Sequence, residues 1–405
     1  MGNNKIKVVG QPMYNIGDLA ACKSLTLLLK NKYDSPLEYS IFENRTIDDE
    51  FKKIDGAKFE KNITVSNKYI KIFTILSPKS IRIISFFFPK IKKKYKSLLD
   101  SDLVLFAPGG LELGLYKEWD YLWIMSVLVA FKKDFGLYSR SIGDFQNKTI
   151  LDLIFKKQAI KYLKLSKFNG LRDQRSQKEA RSLGIPFFPS IDVVFSSVPE
   201  YNKFDQGELT AKFGSNYMVF TPSTFEWHTK FSAYPSQTFI DLYLKIMNTI
   251  IEKSDLNIVM LPHIYKDNSD TRYFNSLKAK CIDHDRVFVL EDNPDSDLYQ
   301  FIISKAKCAL LSRLHQTIFS INNHTPFICI SYEHKMEDMM KILGLEDYSV
   351  NLQDVLEQKV EISTIIHSIL FNQIEMNRLI ESQKKANQIA LNSFEKLTQI
   401  ISDIK

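Results

Sequence analysis

The sequence predicts an α/β protein with two Rossmann-like domains that face a cleft. Short apolar segments alternate with helix-length segments along the whole chain, which is typical of doubly wound α/β units. Most of these apolar segments are continuous runs, as expected for strands buried on both faces of a parallel sheet. A polar stretch at residues 196–215, which contains Pro199 and Gly207, divides the predicted strands into two sets.

The predicted strands are short runs rich in Val, Ile, Leu and Phe. They cover residues 6–9, 103–106, 136–141, 168–172, 191–195, 217–221, 257–261, 287–290, 309–311 and 327–331. Residues 19–31 and 238–253 are typical of the helices between them. From about residue 372 the chain is predicted to be helical, because apolar residues recur there at helical spacing. These residues are Ala390, Phe394, Leu397, Ile401 and Ile404.

These elements predict an N-terminal domain at residues 1–198 and a C-terminal domain at residues 214–405, which ends in the last helix. Of the 405 residues, 44% are hydrophobic, too large a fraction for a disordered chain. The four cysteines show no paired spacing, so neither a disulfide framework nor a zinc knuckle is indicated. A reducing, cytoplasmic environment fits best.

The charge balance favours acidic ligands or an anionic membrane. The chain has 54 basic and 47 acidic side chains and a formal net charge of +7, which is low for a nucleic-acid-binding protein. It lacks a signal-peptide core and an uninterrupted apolar run of about 20 residues. We therefore expect a protein that is soluble or peripheral to a membrane, and no nucleic-acid partner.

The turn after the first predicted strand is a candidate ligand site. Asn15, Gly17 and Asp18 stand between that strand and the next predicted helix. Such a turn exposes amide groups, and the helix N-terminus that follows favours an anion. The turn is not GxGxxG, so it does not imply a nicotinamide cofactor. The alternative is that Asp18 only caps the helix.

Other strand ends also carry candidate substrate-binding residues. Gly109 and Gly110 follow the strand at 103–106, where adjacent glycines let the backbone approach a ligand closely, unless they only form a tight turn. Polar residues at further strand ends are Arg140, Arg172, His263, Glu333 and Lys335. Glu333 and Lys335 are equally compatible with solvated loop charges.

Arg313, Leu314 and His315 form the most distinctive local pattern, since they follow a buried strand and open the next helix. Arginine offers a planar fork for carboxylate or phosphate, and histidine can donate a proton near neutral pH. The alternative is an arginine in a structural ion pair and a histidine at a helix cap. No HExxH, GxSxG, P-loop or CxxC motif occurs, and no metal site is expected.

The segment at residues 68–96 mixes apolar residues with clustered lysines. Such a composition is what a helix-rich hairpin on an anionic bilayer requires, because apolar side chains enter the interface and lysines meet the headgroups. The alternative is a hairpin that covers the core with a solvated lysine face.

Taken together, these motifs resemble the polysaccharide pyruvyl transferase family. Order and approximate spacing agree over about residues 5–345. The matching motifs are Asn15-Ile16-Gly17-Asp18, Pro108-Gly109-Gly110, Ser139-Arg140-Ser141-Ile142-Gly143, Arg172-Asp173 with Ser176, Gly184-Ile185-Pro186, Asp192, Ser312-Arg313-Leu314-His315, Pro326-Phe327 and Ser331-Tyr332-Glu333-His334-Lys335. Asp144 departs from the usual Ser-Ile-Gly-Pro, and Arg140 is bulky where the family is more apolar.

The resemblance implies a glycosyltransferase-B-like fold and transfer of an enolpyruvyl-derived group from phosphoenolpyruvate to a sugar. The product is then a pyruvate ketal that bridges two hydroxyls of a hexose, and phosphoenolpyruvate is the donor substrate, with no cofactor. In this family the Arg-Leu-His turn is associated with donor binding and catalysis, which maps to Arg313, Leu314 and His315. Residues 68–96 belong to the variable part of the family.

From these implications we expect His315 to be the proton donor or a phosphate ligand, and Arg313 to hold the carboxylate or phosphate of the donor. Asn15 and Asp18 are expected on the facing domain, near the acceptor. For a capsule or exopolysaccharide pathway, the acceptor is a sugar on a polyprenyl diphosphate, which favours a membrane-facing role for residues 68–96 at the inner face of the cytoplasmic membrane.

Two alternative functions remain open on the sequence. A nucleotide-sugar-dependent glycosyltransferase of the same fold would bind a nucleotide in the C-terminal half. A catalytically inert glycan-binding relative would bind ligands without turnover. Glu112, His263 and Glu333 are further candidates for the proton donor.

Overall fold

The computed structural model describes residues 5–12, 15–33, 37–41, 49–61, 67–225, 228, 230–264, 270–291, 295–371 and 375–403. Within these ranges the strands form two all-parallel sheets. The first contains β1 (Ile6–Val9), β2 (Leu37–Ile41), β3 (Ala57–Lys61), β4 (Leu103–Phe106), β5 (Asp134–Arg140), β6 (Phe168–Leu171) and β7 (Phe188–Pro189). The second contains β8 (Tyr217–Thr221), β9 (Asn257–Met260), β10 (Val287–Val289), β11 (Ala309–Leu311), β12 (Phe327–Ser331) and β13 (Ser349–Asn351).

Both sheets have the strand order of a Rossmann fold. The first runs β3-β2-β1-β4-β5-β6-β7 and the second runs β10-β9-β8-β11-β12-β13. The order reverses between β1 and β4 in the first sheet and between β8 and β11 in the second. Ligands bind doubly wound sheets at the carboxyl ends of the strands beside such a reversal. The turns after β1, β4, β8 and β11 are therefore the candidate ligand-binding positions.

Helices connect the strands, as parallel pairing requires. In chain order they are α1 (Ile16–Lys32), α2 (Asp49–Lys52), α3 (Lys68–Leu76), α4 (Pro78–Phe87), α5 (Pro89–Leu99), α6 (Trp119–Ala130), α7 (Ile150–Leu165), α8 (Gln174–Leu183), α9 (Gln206–Phe213), α10 (Ser236–Lys253), α11 (Asp270–Lys278), α12 (Ser296–Lys305), α13 (Leu314–Asn322), α14 (His334–Leu343), α15 (Leu352–Leu356), α16 (Ile362–Phe371) and α17 (Met376–Ser402). None of the helices in the described ranges has the length and apolar character needed to span a membrane.

Local sequence explains where several helices begin and end. The Thr149 hydroxyl accepts a hydrogen bond from the Asp152 amide while the Asp152 carboxylate accepts one from the Thr149 amide, a capping box that starts α7. The Asp173 carboxylate caps α8, and Gly184 in the left-handed conformation ends it.

The chain divides into two compact units. Of the described residues, the first unit holds 5–12, 21–197 and 387–403, and the second holds 15–20 and 198–386. The unit boundary at 197/198 adjoins the predicted end of the N-terminal domain. Two short segments lie in the other unit from the one predicted: residues 15–20 belong to the second unit, and residues 387–403 belong to the first.

One exchanged segment is the end of α17, which was predicted to belong to the C-terminal domain. It packs in the first unit, because its apolar face meets β5: the Tyr138 hydroxyl lies 3.3 Å from the Ala390 carbonyl oxygen and 3.2 Å from Ser393 Oγ, and the Phe394 ring packs edge-on to Tyr138. Ile404 lies outside the described residues.

The predicted strand at 191–195 is wrong. A 3-10 helix occupies Val193–Ser196, and β7 lies just before it at Phe188–Pro189. The Asp192 carboxylate accepts a hydrogen bond from the Val194 amide at 3.1 Å, so it caps a helical turn instead of continuing an extended chain. The strands β2, β3 and β13 were not predicted, since they carry polar residues between apolar ones.

Candidate functional site

The clearest candidate site lies at the strand-order reversal of the second sheet. β8 ends at Thr221, and the turn after β11 begins with Ser312, whose amide lies 3.3 Å from the Thr221 carbonyl oxygen and 3.2 Å from its hydroxyl. Arg313 follows as the N-cap residue of α13, and no side-chain hydrogen bond caps this helix. The turn thus presents an arginine and a helix N-terminus at one place, an arrangement suited to an anion.

Arg313 is held by a buried carboxylate. Its Nη2 atom donates to Asp270, 3.1 Å from Oδ1 and 3.3 Å from Oδ2, and both side chains are almost fully buried. Asp270 Oδ2 also accepts hydrogen bonds from the amides of His263 (2.8 Å) and Ile264 (3.0 Å), which fix its orientation. Burial opposes the charge of Arg313, but the Asp270 carboxylate outweighs it and raises the pKa of the guanidinium.

Two histidines stand beside this ion pair. The rings of His263 and His315 stack with centroids 6.1 Å apart and planes 16° apart. Burial, with the positive charges of Arg313, His315 and Lys335, lowers the pKa of His263 well below its usual range, so this imidazole is neutral at neutral pH. His315, in the first turn of α13, is half-buried.

Two buried nitrogen atoms in this group, Arg313 Nε and His263 Nδ1, have no hydrogen-bond partner among the described residues. Buried polar atoms are nearly always paired in folded proteins, so a ligand or water that bonds them would complete the site. Arg140 Nε in the first unit is unpaired in the same way, so it is the position at the strand-order reversal, together with the helix N-terminus, that favours a ligand here. We call Arg313, Asp270, His263 and His315 the Arg313 cluster.

The turn at residues 15–18 belongs to the same unit, and this corrects the prediction that Asn15 and Asp18 lie on the facing, acceptor-side domain. The Ile16 amide donates to the His263 carbonyl oxygen at 3.1 Å, and Asn15 pairs with Ile264. Asn15 caps α1, because its Oδ1 atom accepts the Asp18 amide at 3.0 Å, so the residue that caps is not Asp18.

Gly17 is the position where this turn meets His315. A Cβ atom at residue 17 would lie 1.8 Å from His315 Nδ1, so no residue larger than glycine fits without displacing the imidazole. Gly17 was predicted to bind substrate through its backbone. In the structure it provides the space that His315 occupies.

Glu333 and Lys335 form a second ion pair in this unit. Lys335 Nζ lies 2.5 Å from Glu333 Oε2, and His228 Nε2 lies 3.8 Å from Oε1. Burial alone would raise the pKa of Glu333, but Lys335 and His228 lower it, so the group is a carboxylate at neutral pH. Tyr332, which precedes this pair, also bonds Arg313 and thereby links the pair to the Arg313 cluster. Leu314 is buried, and the prediction that it binds substrate stays a prediction.

The first unit contains a different kind of arginine site. Arg140 has no exposed surface: it donates to the Ala107 carbonyl oxygen, its Nη2 lies 2.8 Å from Glu112 Oε2, and its guanidinium carbon lies 4.4 Å from the Tyr121 ring centroid. Burial opposes its charge, whereas Tyr121 and Glu112 raise its pKa. The side chain is enclosed by these groups and its Nε atom has no hydrogen-bond partner among the described residues, so the prediction that Arg140 binds substrate stays a prediction. We call Arg140, Glu112, Tyr121 and Ala107 the Arg140 cluster.

A backbone irregularity directs Arg140 inward. Ser139, the residue before the last one of β5, has a φ of +52°, and the pairing of β5 with β6 shifts register between Leu137 and Arg140. Such a bulge re-aims the side chain that follows it. The Ser139 hydroxyl stabilises the bulge, since it donates to the Ile191 carbonyl oxygen (3.0 Å) and accepts from the Val193 amide (2.9 Å).

The remaining predicted residues of the first unit surround this cluster. A Cβ atom on Gly109 would lie 3.0–3.1 Å from the Arg140 guanidinium, so glycine allows that close approach, whereas Gly110 has ordinary room. Arg172 Nη1 lies 2.6 Å from Asp192 Oδ2 and its Nε lies 3.1 Å from Ser141 Oγ. This buried pair holds the turn that begins the 3-10 helix, and the prediction that Arg172 binds substrate stays a prediction.

Asp270 is the site residue that sequence reasoning missed. The sequence carries a pattern that could have indicated it, since an acidic residue stands at the first position of the helix that follows the His263 turn. His228 also stands near this site, since its Nε2 atom lies 3.8 Å from Glu333 Oε1. Among the described residues, no group of three or more metal-ligating side chains could hold a metal ion.

A cavity of about 690 Å³ lies elsewhere in the second unit. Its lining includes Asn216, Leu256, Cys308 and Pro326, which each precede a strand of the second sheet. The cavity is therefore at the amino-terminal edge of that sheet, away from the edge where ligands of this fold bind.

Comparison with known proteins matches this chain to one family. A family model described as polysaccharide pyruvyl transferase matches residues 15–334, which include both clusters. The amylovoran biosynthesis protein AmsJ of Erwinia amylovora is 23% identical over 326 residues, which cover 76% of this chain and 70% of that protein.

Solved structures share the architecture at low sequence identity. A UDP-forming α,α-trehalose-phosphate synthase from Burkholderia xenovorans has a TM-score of 0.60 and 8% identity, with 99% of each chain covered. The UDP-GlcNAc 2-epimerase of Methanocaldococcus jannaschii has a TM-score of 0.58 and 10% identity, with 96% of this chain and 98% of that chain covered. These similarities show the two-domain glycosyltransferase-B fold that the resemblance implied. With the family model matching most of the chain, this protein belongs to the polysaccharide pyruvyl transferase family.

Proposed function

We propose that this protein transfers the enolpyruvyl-derived group of phosphoenolpyruvate onto a hexose of a lipid-linked oligosaccharide and forms a pyruvate ketal in exopolysaccharide or capsule biosynthesis. The observation that carries the proposal is the Arg313 cluster at the reversal point of the second sheet. Family membership supports a pyruvyl transferase, and the similarity to an amylovoran biosynthesis protein supports the exopolysaccharide setting.

The cluster suits a donor that carries both a carboxylate and a phosphate. Arg313 uses Nη2 for Asp270 and retains Nε, which has no partner in the described chain, for an anion. The uncapped N-terminus of α13 offers amide donors to the second anionic group. Lys335 and the two histidines add donors. The Asp270 carboxylate orients Arg313 through Nη2 alone, which leaves Nε for a ligand.

In the proposed chemistry, a proton goes to the methylene carbon of phosphoenolpyruvate, and C2 becomes electrophilic. One sugar hydroxyl forms a bond to C2, the C2–O bond to phosphate breaks, and the second hydroxyl closes the ketal. One hydroxyl proton replaces the proton that the acid delivered to the methyl group, and the other leaves with phosphate. We assign the acid to His315, because a bound dianion favours a protonated imidazole beside it, whereas the buried His263 is held neutral.

The test is to incubate the protein with phosphoenolpyruvate and lipid-linked galactose, glucose and N-acetylmannosamine acceptors. We expect inorganic phosphate together with an acceptor whose mass has increased by one pyruvate ketal. His315→Ala should lose on the order of 10²–10⁴-fold in turnover, the usual contribution of a positioned acid. His284→Ala, at an exposed histidine of the same unit, is the matched control.

Two outcomes would overturn the proposal. Transfer from a UDP-sugar, without phosphate release from phosphoenolpyruvate, would favour the glycosyltransferase alternative. Binding of glycan without any turnover would favour the inert relative. Full turnover by His315→Ala would refute the assignment of the acid.

A further inference from the structure

The helices between β3 and β4 carry an outward face that is apolar instead of polar. On α3, α4 and the residue after them, seven large apolar side chains are exposed, with exposed fractions from 46% for Leu76 to 84% for Tyr69. The seven are Tyr69, Phe73, Leu76, Ile83, Phe86, Phe87 and Phe88. We call them the α3–α4 surface. The inward face carries Ile75 and Ile81, which belong to the core of the first unit, beside the small side chains of Thr74 and Ser85, so the outward face is a second apolar face.

Helical spacing places these side chains on coherent faces. Residues 69, 73 and 76 are spaced i, i+4, i+7 on α3, and residues 83, 86 and 87 are spaced i, i+3, i+4 on α4. The two helices are separated by Ser77 alone, and both pack against α6. The segment therefore covers the core, which was the alternative to a membrane-facing hairpin. It also exposes a second apolar face. Concentrated exposed apolar surface of this kind marks an interaction site.

The same segment is strongly basic. Residues 67–99 contain nine basic side chains and no acidic one, whereas the whole chain has a net charge of only +7. The rest of the protein therefore carries two negative charges in excess, and the positive character of the chain resides here. Lys71 is used internally, 2.5 Å from Asp120, and Arg82 stacks over Phe131. Lys68, Lys79, Lys92 and Lys96 are exposed.

We propose that the α3–α4 surface docks on an anionic lipid bilayer, with its aromatic side chains in the interfacial layer and the exposed lysines against the phosphate headgroups. Charge complementarity selects this occupant, because a segment with nine basic and no acidic side chains matches a uniformly anionic plane. Aromatic and aliphatic side chains flanked by lysine are what interfacial helices use. The proposal stands on exposure and charge, independently of the proposed reaction.

The surface adjoins the ligand-binding edge of the first sheet. The Lys71–Asp120 pair joins the first turn of α3 to the first turn of α6. α6 follows the loop that contains Gly109, and the N-terminus of a helix in a βα unit lies at the carboxyl edge of its sheet. Tyr69 is therefore close to that edge, so membrane docking brings lipid-borne molecules to the first unit.

The experiment is co-sedimentation of the full chain with two kinds of vesicle: phosphatidylcholine alone, and equal parts phosphatidylcholine and phosphatidylglycerol. We expect binding to the anionic vesicles that weakens as salt rises. Phe86→Ser/Phe87→Ser/Phe88→Ser should reduce binding at least on the order of tenfold, because affinity scales with the apolar area buried. Lys79→Gln/Lys92→Gln/Lys96→Gln should reduce binding on the order of 10- to 100-fold and flatten its salt dependence.

Matched controls remove the same chemistry from other surfaces. Leu165→Ser/Val198→Ser/Ile282→Ser removes three exposed apolar side chains, and Lys157→Gln/Lys178→Gln/Lys341→Gln removes three exposed lysines. Both should bind vesicles as the wild type does, and thermal melting should show that all four variants are folded. Two results would overturn the proposal: no preference of the wild type for anionic vesicles, or self-association through the aromatic residues without vesicle binding.

Discussion

The Arg313 and Arg140 clusters use the same pair of groups for different purposes. Each places a buried arginine beside a carboxylate at the carboxyl edge of a parallel sheet. Arg140 is enclosed by a carboxylate, a carbonyl oxygen and an aromatic face. Arg313 also pairs with a carboxylate, but the imidazoles of His263 and His315 and the uncapped N-terminus of α13 stand beside it. Position at a strand end therefore does not distinguish a binding arginine from a structural one, whereas a free helix N-terminus beside the arginine favours an anion.

The largest expected effect is on the Arg313 cluster. Arg313→Ala should reduce turnover on the order of 10³-fold, since it removes a charged donor aimed at the developing phosphate charge. The Asp270 carboxylate keeps its two backbone donors but loses its buried partner, so stability also falls, and thermal melting should show that the variant is folded under the assay conditions. Phosphate release is the measurement, and the exposed Arg272→Ala on the same helix as Asp270 is the control. Unchanged turnover would remove the distinction between the two arginines.

Substitution of Arg140 should lower the stability of the fold rather than the turnover. Arg140→Met leaves the Glu112 carboxylate without its buried partner, which costs about 3–5 kcal/mol in the free energy of unfolding. Urea unfolding followed by fluorescence of Trp119 and Trp123 on α6 measures this loss. The double variant Arg140→Met/Glu112→Leu should recover most of it, because no charge is then left unpaired. A single variant as stable as the wild type would contradict the structural role of Arg140.

Gly17→Ala sharpens the comparison within the Arg313 cluster. The added Cβ atom would overlap His315 Nδ1, so the imidazole must shift, and a misplacement of about 1 Å costs on the order of 10²-fold in rate. Gly207→Ala on α9 is the control, since its Cβ meets only the flexible Asp205 side chain. Steady-state kinetics should show a loss in kcat, and equal kcat values would contradict the close packing of Gly17 on His315.

The smallest effect concerns pH. The folded protein keeps His263 neutral, because its pKa is well below the usual value, whereas in the unfolded chain the pKa of this group is about 6.5. Below that pH the unfolded state binds a proton that the folded state does not, so the free energy of unfolding falls as pH falls. Between about pH 7.5 and 5.5 the wild type should lose about 1 kcal/mol more than His263→Gln. The exposed His284→Gln should behave as the wild type, and an identical pH response of His263→Gln would contradict this account.

Sequence reasoning identified the fold because buried parallel strands read as continuous apolar runs. It also found Arg313 and His315, because a strand end followed by charged residues is a local pattern. It did not predict the burial of Arg140 and Arg172, because that burial depends on a bulge at Ser139 and on Asp192, which local sequence does not reveal. It missed Asp270, because the pairing with Arg313 joins residues 43 positions apart. The exchange of residues 15–20 between units depends likewise on contacts with His263 and His315.

The most direct test of the central claim is calorimetric titration of phosphoenolpyruvate into the wild type, Arg313→Ala and the double variant Arg140→Met/Glu112→Leu. We expect saturable binding by the wild type, loss of that binding in Arg313→Ala, and retention in the double variant, because we assign the donors for the anion to the Arg313 cluster. Equal binding by Arg313→Ala and the wild type would contradict this assignment.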